Sequence, residues 1–414
     1  MLQLTNEWRL QRPEVPVFRK SYIGDIHTDC RVGDDALMPW FGKKKQEEPP
    51  ISKLTVDKCE EFRVPGPSSG LVFCTLQGKE AICASALHSK KIVAMTTAGA
   101  ELWEFNTSDS VFSLAKANFA GKDVVIAGAG GKVLAISGEG EKLWEYAMPE
   151  GSGIIAGLSS ASVSLHELQN EIGFEDVYHI ATGKLNGDDV VVAVAGGRYM
   201  TEGPQVITSS GERKCGLKTK TLGMTRPIQI AGCLLDLSPT GDALLGIVAY
   251  KAYGKASVIT EEAKTIRDIK FHIDEARKMG GALPIQDKRR GKLVGGKFGD
   301  KNVFIVGTPN HVSVAAVSLD GTQLWNYFST RAIGPMTGVN DIKIGSLDGK
   351  HVVIIGCNDG SVHVVDEAGR RLDSWEYPVS VTNVDWGKIE GKDAIAIGLY
   401  NGQILTYVIE SALA

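Results

Sequence analysis

The chain has 414 residues, 43% of them hydrophobic and 23% charged, with a net charge of −4. That balance excludes a disordered chain and a membrane-embedded one, and it gives no reason to expect a polyanion as the main partner. The 48 glycines suit a fold with many tight turns.

The first residues, MLQLTNEWRLQRPEV, carry charges and no apolar signal core. No later stretch approaches the roughly 18 apolar residues of a spanning helix. A cytoplasmic protein with no membrane partner is expected. The seven cysteines (30, 59, 74, 83, 215, 233 and 357) include no C-x-x-C pair, so free thiols are expected. Residues 1–10 contain a short strand, LTNEWRL, with Trp8 near its end. Residues 10–68 read as a long insertion. Within it, GDIHTDCRVGDD gathers His27, Asp29, Cys30, Asp34 and Asp35, a set able to ligate a metal, although its spacing matches no closed site and a solvated loop is the simpler reading. Lys43, Lys44 and Lys45 follow.

From about residue 70 to 409 a unit repeats. A glycine followed by Lys or Asp opens an apolar, β-rich run at Gly78, Gly121, Gly187, Gly241, Gly299, Gly349 and Gly391. The glycine supplies the positive φ of a two-residue hairpin turn, and the runs are too short for core helices. Each run leads to an alternating strand such as KVLAIS or SVHVVDE. A further turn then leads to a strand that usually carries Trp, as in ELWEF, KLWEY, QLWNY and DSWEY. One more strand precedes each glycine. In the fourth unit TIRDIKFHI (265–273) is read as the fourth strand, leaving DEARKMGG as possible helix. The final unit lacks its fourth strand, which residues 1–10 can supply.

The expected fold is therefore all-β: one seven-bladed β-propeller over residues 1–414, built from four-stranded antiparallel blades and closed by the N-terminal strand. Eight blades arise instead if residues 51–64 pair into a partial extra blade. Trp8, Trp103, Trp144, Trp325 and Trp375 are expected at equivalent outer-strand positions, packing between blades.

The strand-ending Trp after a D/E-x-x-G turn (SGEGEKLWEY, SLDGTQLWNY, DEAGRRLDSWEY) resembles the repeat of quinoprotein-like (PQQ-like) propellers. The half-unit LDGKHVVIIGCNDGSV is similar to FG-GAP/VCBS-type repeats. The resemblance implies architecture. The chemistry of either family is not expected here: there is no adjacent cysteine pair, and the loops lack the run of Asp residues a calcium site needs. No Walker loop and no Rossmann fingerprint occurs, and the histidines fall on separate strands with no evident Ser/Cys–His–Asp set. No cofactor and no catalytic residue is expected.

Strand direction places the inter-blade connections and the second-to-third turns at one end of the ring. The longest loops belong there: 10–68, 149–176, 274–292 and the loop GGRYMTEGPQ. The expected function is a non-enzymatic scaffold or accessory subunit whose decorated face binds a protein, with Lys43, Lys44, Lys45, Arg198, Tyr199, Lys288, Arg289 and Arg290 as contact residues. An enzyme or cofactor binder using the channel mouth is the alternative. A nucleic acid or ribonucleoprotein partner, met by the local basic loops, is a second one.

Overall fold

The computed structural model describes residues 54–149, 177–185, 187–195, 204–216, 232–236, 243–248, 253–259, 265–272, 292–307, 313–328 and 338–410. The 28 strands among them pair into seven four-stranded antiparallel sheets. Six sheets run consecutively over residues 68–106, 111–147, 177–216, 232–272, 292–328 and 339–376. The last joins the three strands of residues 381–410 to Thr55–Arg63. Side-chain packing is described for six of the sheets, and residues 232–272 by their backbone pairing. The innermost strand of each sheet packs beside the innermost strand of the next, and Val381–Ile389 returns to Ser68–Leu76. The molecule is thus an all-β propeller of four-stranded blades. No described helix is long and apolar enough to cross a membrane.

The second strands show why short apolar runs become strands. In Lys79–Ala86, Lys122–Ala129, Lys350–Cys357 and Lys392–Leu399 the last six residues are all buried, because neighbouring blades cover both faces. Each fully buried Val or Ile contributes about 1.5–3 kcal/mol. The turns before these strands have positive φ at two successive residues, for example Ala120 (52°) and Gly121 (81°). That is the backbone twist a two-residue hairpin requires. The same pair recurs at 77–78, 348–349 and 390–391. Gly241 lies outside the described residues, as does DEARKMGG, whereas Thr265–His272 is the expected fourth strand.

The closure differs from the expectation. Residues 1–10 lie outside the described residues, and the free edge of Gln403–Glu410 is covered by Thr55–Arg63, with Thr55 opposite Glu410 and Arg63 opposite Gln403. This strand therefore completes the last blade and does not begin an extra one. Residues 64–67 alone separate it from the first blade, where Val64 N–H donates to Gly402 O at 2.9 Å. An unpaired edge would have left a row of open backbone groups. Its sequence, TVDKCEEFR, hides this role because an outermost strand keeps most side chains in solvent.

The tryptophans are also not all equivalent. Trp103 and Trp144 stand over the third-to-fourth turn of the following blade. Trp103 Nε1–H donates to Gly138 O at 3.0 Å and Trp144 Nε1–H to Ser209 O at 2.8 Å. A Cβ on Gly140 or Gly211 would lie 2.7 Å from the indole Cγ above it. Trp325 covers Gly369 in the same way. In the sixth sheet this place belongs to Asp373, which pairs with Val364, while Trp375 lies two residues on, opposite Val362. The ring nearest Gly99 of the first blade is that of Phe62, from the closing strand.

Candidate functional site

The two poles of the ring are built differently. At one pole the first and second strands meet in the glycine hairpins. At the other, residues 148–176, 217–231, 273–291 and 329–338 join successive sheets, and 196–204 joins two strands of the third. The remaining links between sheets there, 64–67, 107–110 and 377–380, are four residues each. Arg198, Tyr199, Lys288, Arg289 and Arg290 belong to the long connectors and lie outside the described residues. Lys43, Lys44 and Lys45, and the loop with His27, Asp29 and Cys30, also lie outside them. Because Thr55 starts opposite Glu410, the chain enters the closing strand at the hairpin pole. The link to the first blade expected over residues 10–68 is thus reduced to residues 64–67, and Thr55–Arg63 is a strand of the last blade.

The described floor of the connector pole is held by side chains that cross between blades. Asn340 Nδ2–H donates to Val381 O at 2.7 Å and Ser380 Oγ–H to Asn358 Oδ1 at 2.9 Å. Ser69 Oγ–H donates to Val111 O at 2.6 Å, and Ser113 Oγ–H to Val177 O at 3.0 Å. Tyr400, on the turn Leu399–Gly402, projects from this floor with 59% of its surface exposed.

A polar chain missed in the sequence joins the fifth and sixth blades at the same pole. Tyr327 Oη lies 3.0 Å from His363 Nδ1, and His363 Nε2 lies 2.9 Å from Ser361 Oγ. Ser361 Oγ–H donates to Asp359 Oδ1 at 2.6 Å. With the serine proton given to the carboxylate, His363 donates from Nε2 and accepts from the tyrosine at Nδ1. The imidazole is buried and bonded at both nitrogens. In this arrangement the serine proton points at the carboxylate and not at the nitrogen that a general base would offer. The signal in the sequence was only Ser-x-His after an Asn-Asp-Gly turn, and Tyr327 is 36 residues away.

The central channel is the second candidate. A cavity of about 380 Å³ is bounded by the inner strands of six sheets, with Lys116, His179, Lys292, Asp341, Lys343 and Asp385 in its wall. Asp385 Oδ2 accepts Phe73 N–H at 2.6 Å, and Asp341 Oδ2 accepts Val384 N–H at 3.1 Å, each from the next inner strand. Lys343 Nζ lies 3.8 Å from Asp385 Oδ1. Burial pushes the Asp385 carboxyl above its ordinary range, opposed by Lys343, Lys116 and the Phe73 N–H. Burial works against the Lys343 ammonium, but Asp341 and Asp385 outweigh it and hold its pKa up.

Elsewhere, Lys214 of the Arg213–Lys214 pair is bound to Asp188 at 2.7 Å. His351 stacks on Phe298 with ring centroids 6.2 Å apart. Cys59, Cys74, Cys83, Cys215 and Cys357 are free thiols, and burial pushes the Cys83 thiol up. Among the described residues no group of three His, Cys, Asp or Glu side chains could hold a metal.

No family model and no curated protein matches the sequence. The fold has solved counterparts. The crystal structure of BBS1N in complex with ARL6DN, soaked with mercury, superposes with a TM-score of 0.59 at 10% identity, covering 87% of this chain and 98% of that one. The same complex soaked with lead gives 0.60. Raptor from Chaetomium thermophilum gives 0.58 at 10% identity, again over 87% of this chain but only 29% of Raptor. At that identity the likeness is one of fold.

Proposed function

We propose that this propeller is a non-catalytic interaction scaffold that docks a protein partner on its connector-rich pole. The observation that carries the reading is the asymmetry of the two poles: turns of two to six residues between strands at one, connectors of up to 29 residues (148–176) at the other. A rigid ring that lengthens its loops on one face only offers that face for recognition. The BBS1N structure, a propeller crystallised with ARL6DN, supports a protein partner in general terms. The Tyr327–His363–Ser361 chain supports a structural rather than a catalytic role for the buried histidine. Arg198, Tyr199, Lys288, Arg289 and Arg290, on the long connectors of that pole, are the proposed contacts.

The test is cross-linking mass spectrometry on the complex purified at native level, with wild type and the charge-reversed K288E/R289E/R290E chain. Cross-links should cluster on the long connectors and on the floor near Tyr400, and charge reversal should lower partner recovery at least tenfold. Cross-links concentrated on the hairpins around Gly121, Gly349 and Gly391 would overturn the assignment.

A further inference from the structure

We propose that the central channel binds a small oxyanion, a carboxylate or a phosphate group, with Lys343 and Lys116 as its charged contacts. The channel's roughly 380 Å³ falls in the range of small-ligand pockets. Among the described residues, three lysines and two aspartates share its wall. The two carboxylates are already engaged: Asp385 and Asp341 each accept a backbone N–H from the neighbouring inner strand. They serve as fasteners between blades, and a cation entering the channel would have to displace Lys343 to reach Asp385.

The ammonium of Lys343 is in the opposite position. Its distance of 3.8 Å to Asp385 Oδ1 is an ion pair without a hydrogen bond, and it makes no hydrogen bond among the described residues. Its side chain is 29% exposed, facing the channel. Lys116, on the inner strand of the second blade, lines the same cavity and is more open to solvent. An ammonium with its donors unspent in a confined, partly desolvated site is a strong partner for an anionic oxygen. The inference is independent of the docking reading, since it concerns the axis of the ring and not its connectors.

Isothermal titration of the full chain with inorganic phosphate, and separately with acetate, tests it. Wild type should bind at least one of them saturably, more weakly as sodium chloride is raised. K343M should weaken binding at least tenfold, and the hairpin control K388M should leave it unchanged. K116M, at an exposed side chain, guards against a K343M chain that fails to fold, and should also weaken binding. A glutamate oligopeptide added in competition separates the sources: displacement of the small anion assigns the site to an acidic side chain of a partner, and lack of displacement assigns it to a free small anion. Absence of saturable binding to either anion, or equal binding by wild type, K116M and K343M, overturns the proposal.

Discussion

Asp373 takes the place where other blades carry tryptophan, and the exchange follows from what lies beyond it. The blade after it has no third-to-fourth hairpin, because its fourth strand comes from the other end of the chain. An indole would find no glycine to cover, whereas the first N–H of the closing segment needs an acceptor. Asp373 Oδ2 accepts Leu54 N–H at 3.1 Å. Asp373→Ala should cost about 1–3 kcal/mol, the penalty of leaving that N–H unpaired, read as a lower urea midpoint. Trp103→Ala removes a buried indole and its bond to Gly138, and should cost about 3–5 kcal/mol in the same measurement. Asp385 has a pH signature. Its folded pKa is raised from 3.8 by burial, so the folded state holds the proton more tightly than the unfolded chain. Stability from this group is therefore full below the unfolded value and falls as pH rises through the folded one. Asp385→Asn keeps an acceptor for Phe73 N–H without the charge. The stability of wild type relative to D385N should decline as pH rises above about 4, the unfolded value, and a constant difference would count against the raised pKa.

At the scale of elements, two kinds of glycine turn separate strain from packing. Gly121 has φ of +81° and open space around it, so Gly121→Ala should cost about 1 kcal/mol of backbone strain. Gly140 has φ of +85° and the Trp103 ring against it, so Gly140→Ala should cost more, about 2–4 kcal/mol. Equal losses in paired urea titrations would show that the indole is not seated on the turn. The closing strand makes a sharper test. A chain starting after Pro49 should unfold cooperatively, while one starting after Val64 should lose the ring and aggregate through the bared edge of Gln403–Glu410. The hairpin glycines and apolar second strands were legible in the sequence because turn chemistry and burial on both faces each leave a local mark. The closing strand was not, since TVDKCEEFR is mostly exposed and carries no Trp. The pattern pointed to Trp8 because tryptophan marks several outer strands, and Asp373 shows that the mark is set by the neighbour rather than by the strand itself.

At the scale of the whole molecule, the propeller of four-stranded blades was readable from period alone, and the solved counterparts at 10% identity share it. The site was less readable. Tyr327, His363 and Ser361 meet only because consecutive blades lie side by side, a relation that spacing along the chain does not reveal. The channel wall is similar: Lys343 and Asp385 lie on different blades and are joined by the curvature of the ring.

The seam between Thr55 and Glu410 has a mechanical consequence. The chain enters one strand and leaves its antiparallel partner at the same end, so tension on the two flanking segments loads the rungs one after another, like a zip, instead of all together in shear. Traction on those segments would open the ring at this seam while the other blades, each continuous through its own hairpins, stayed shut.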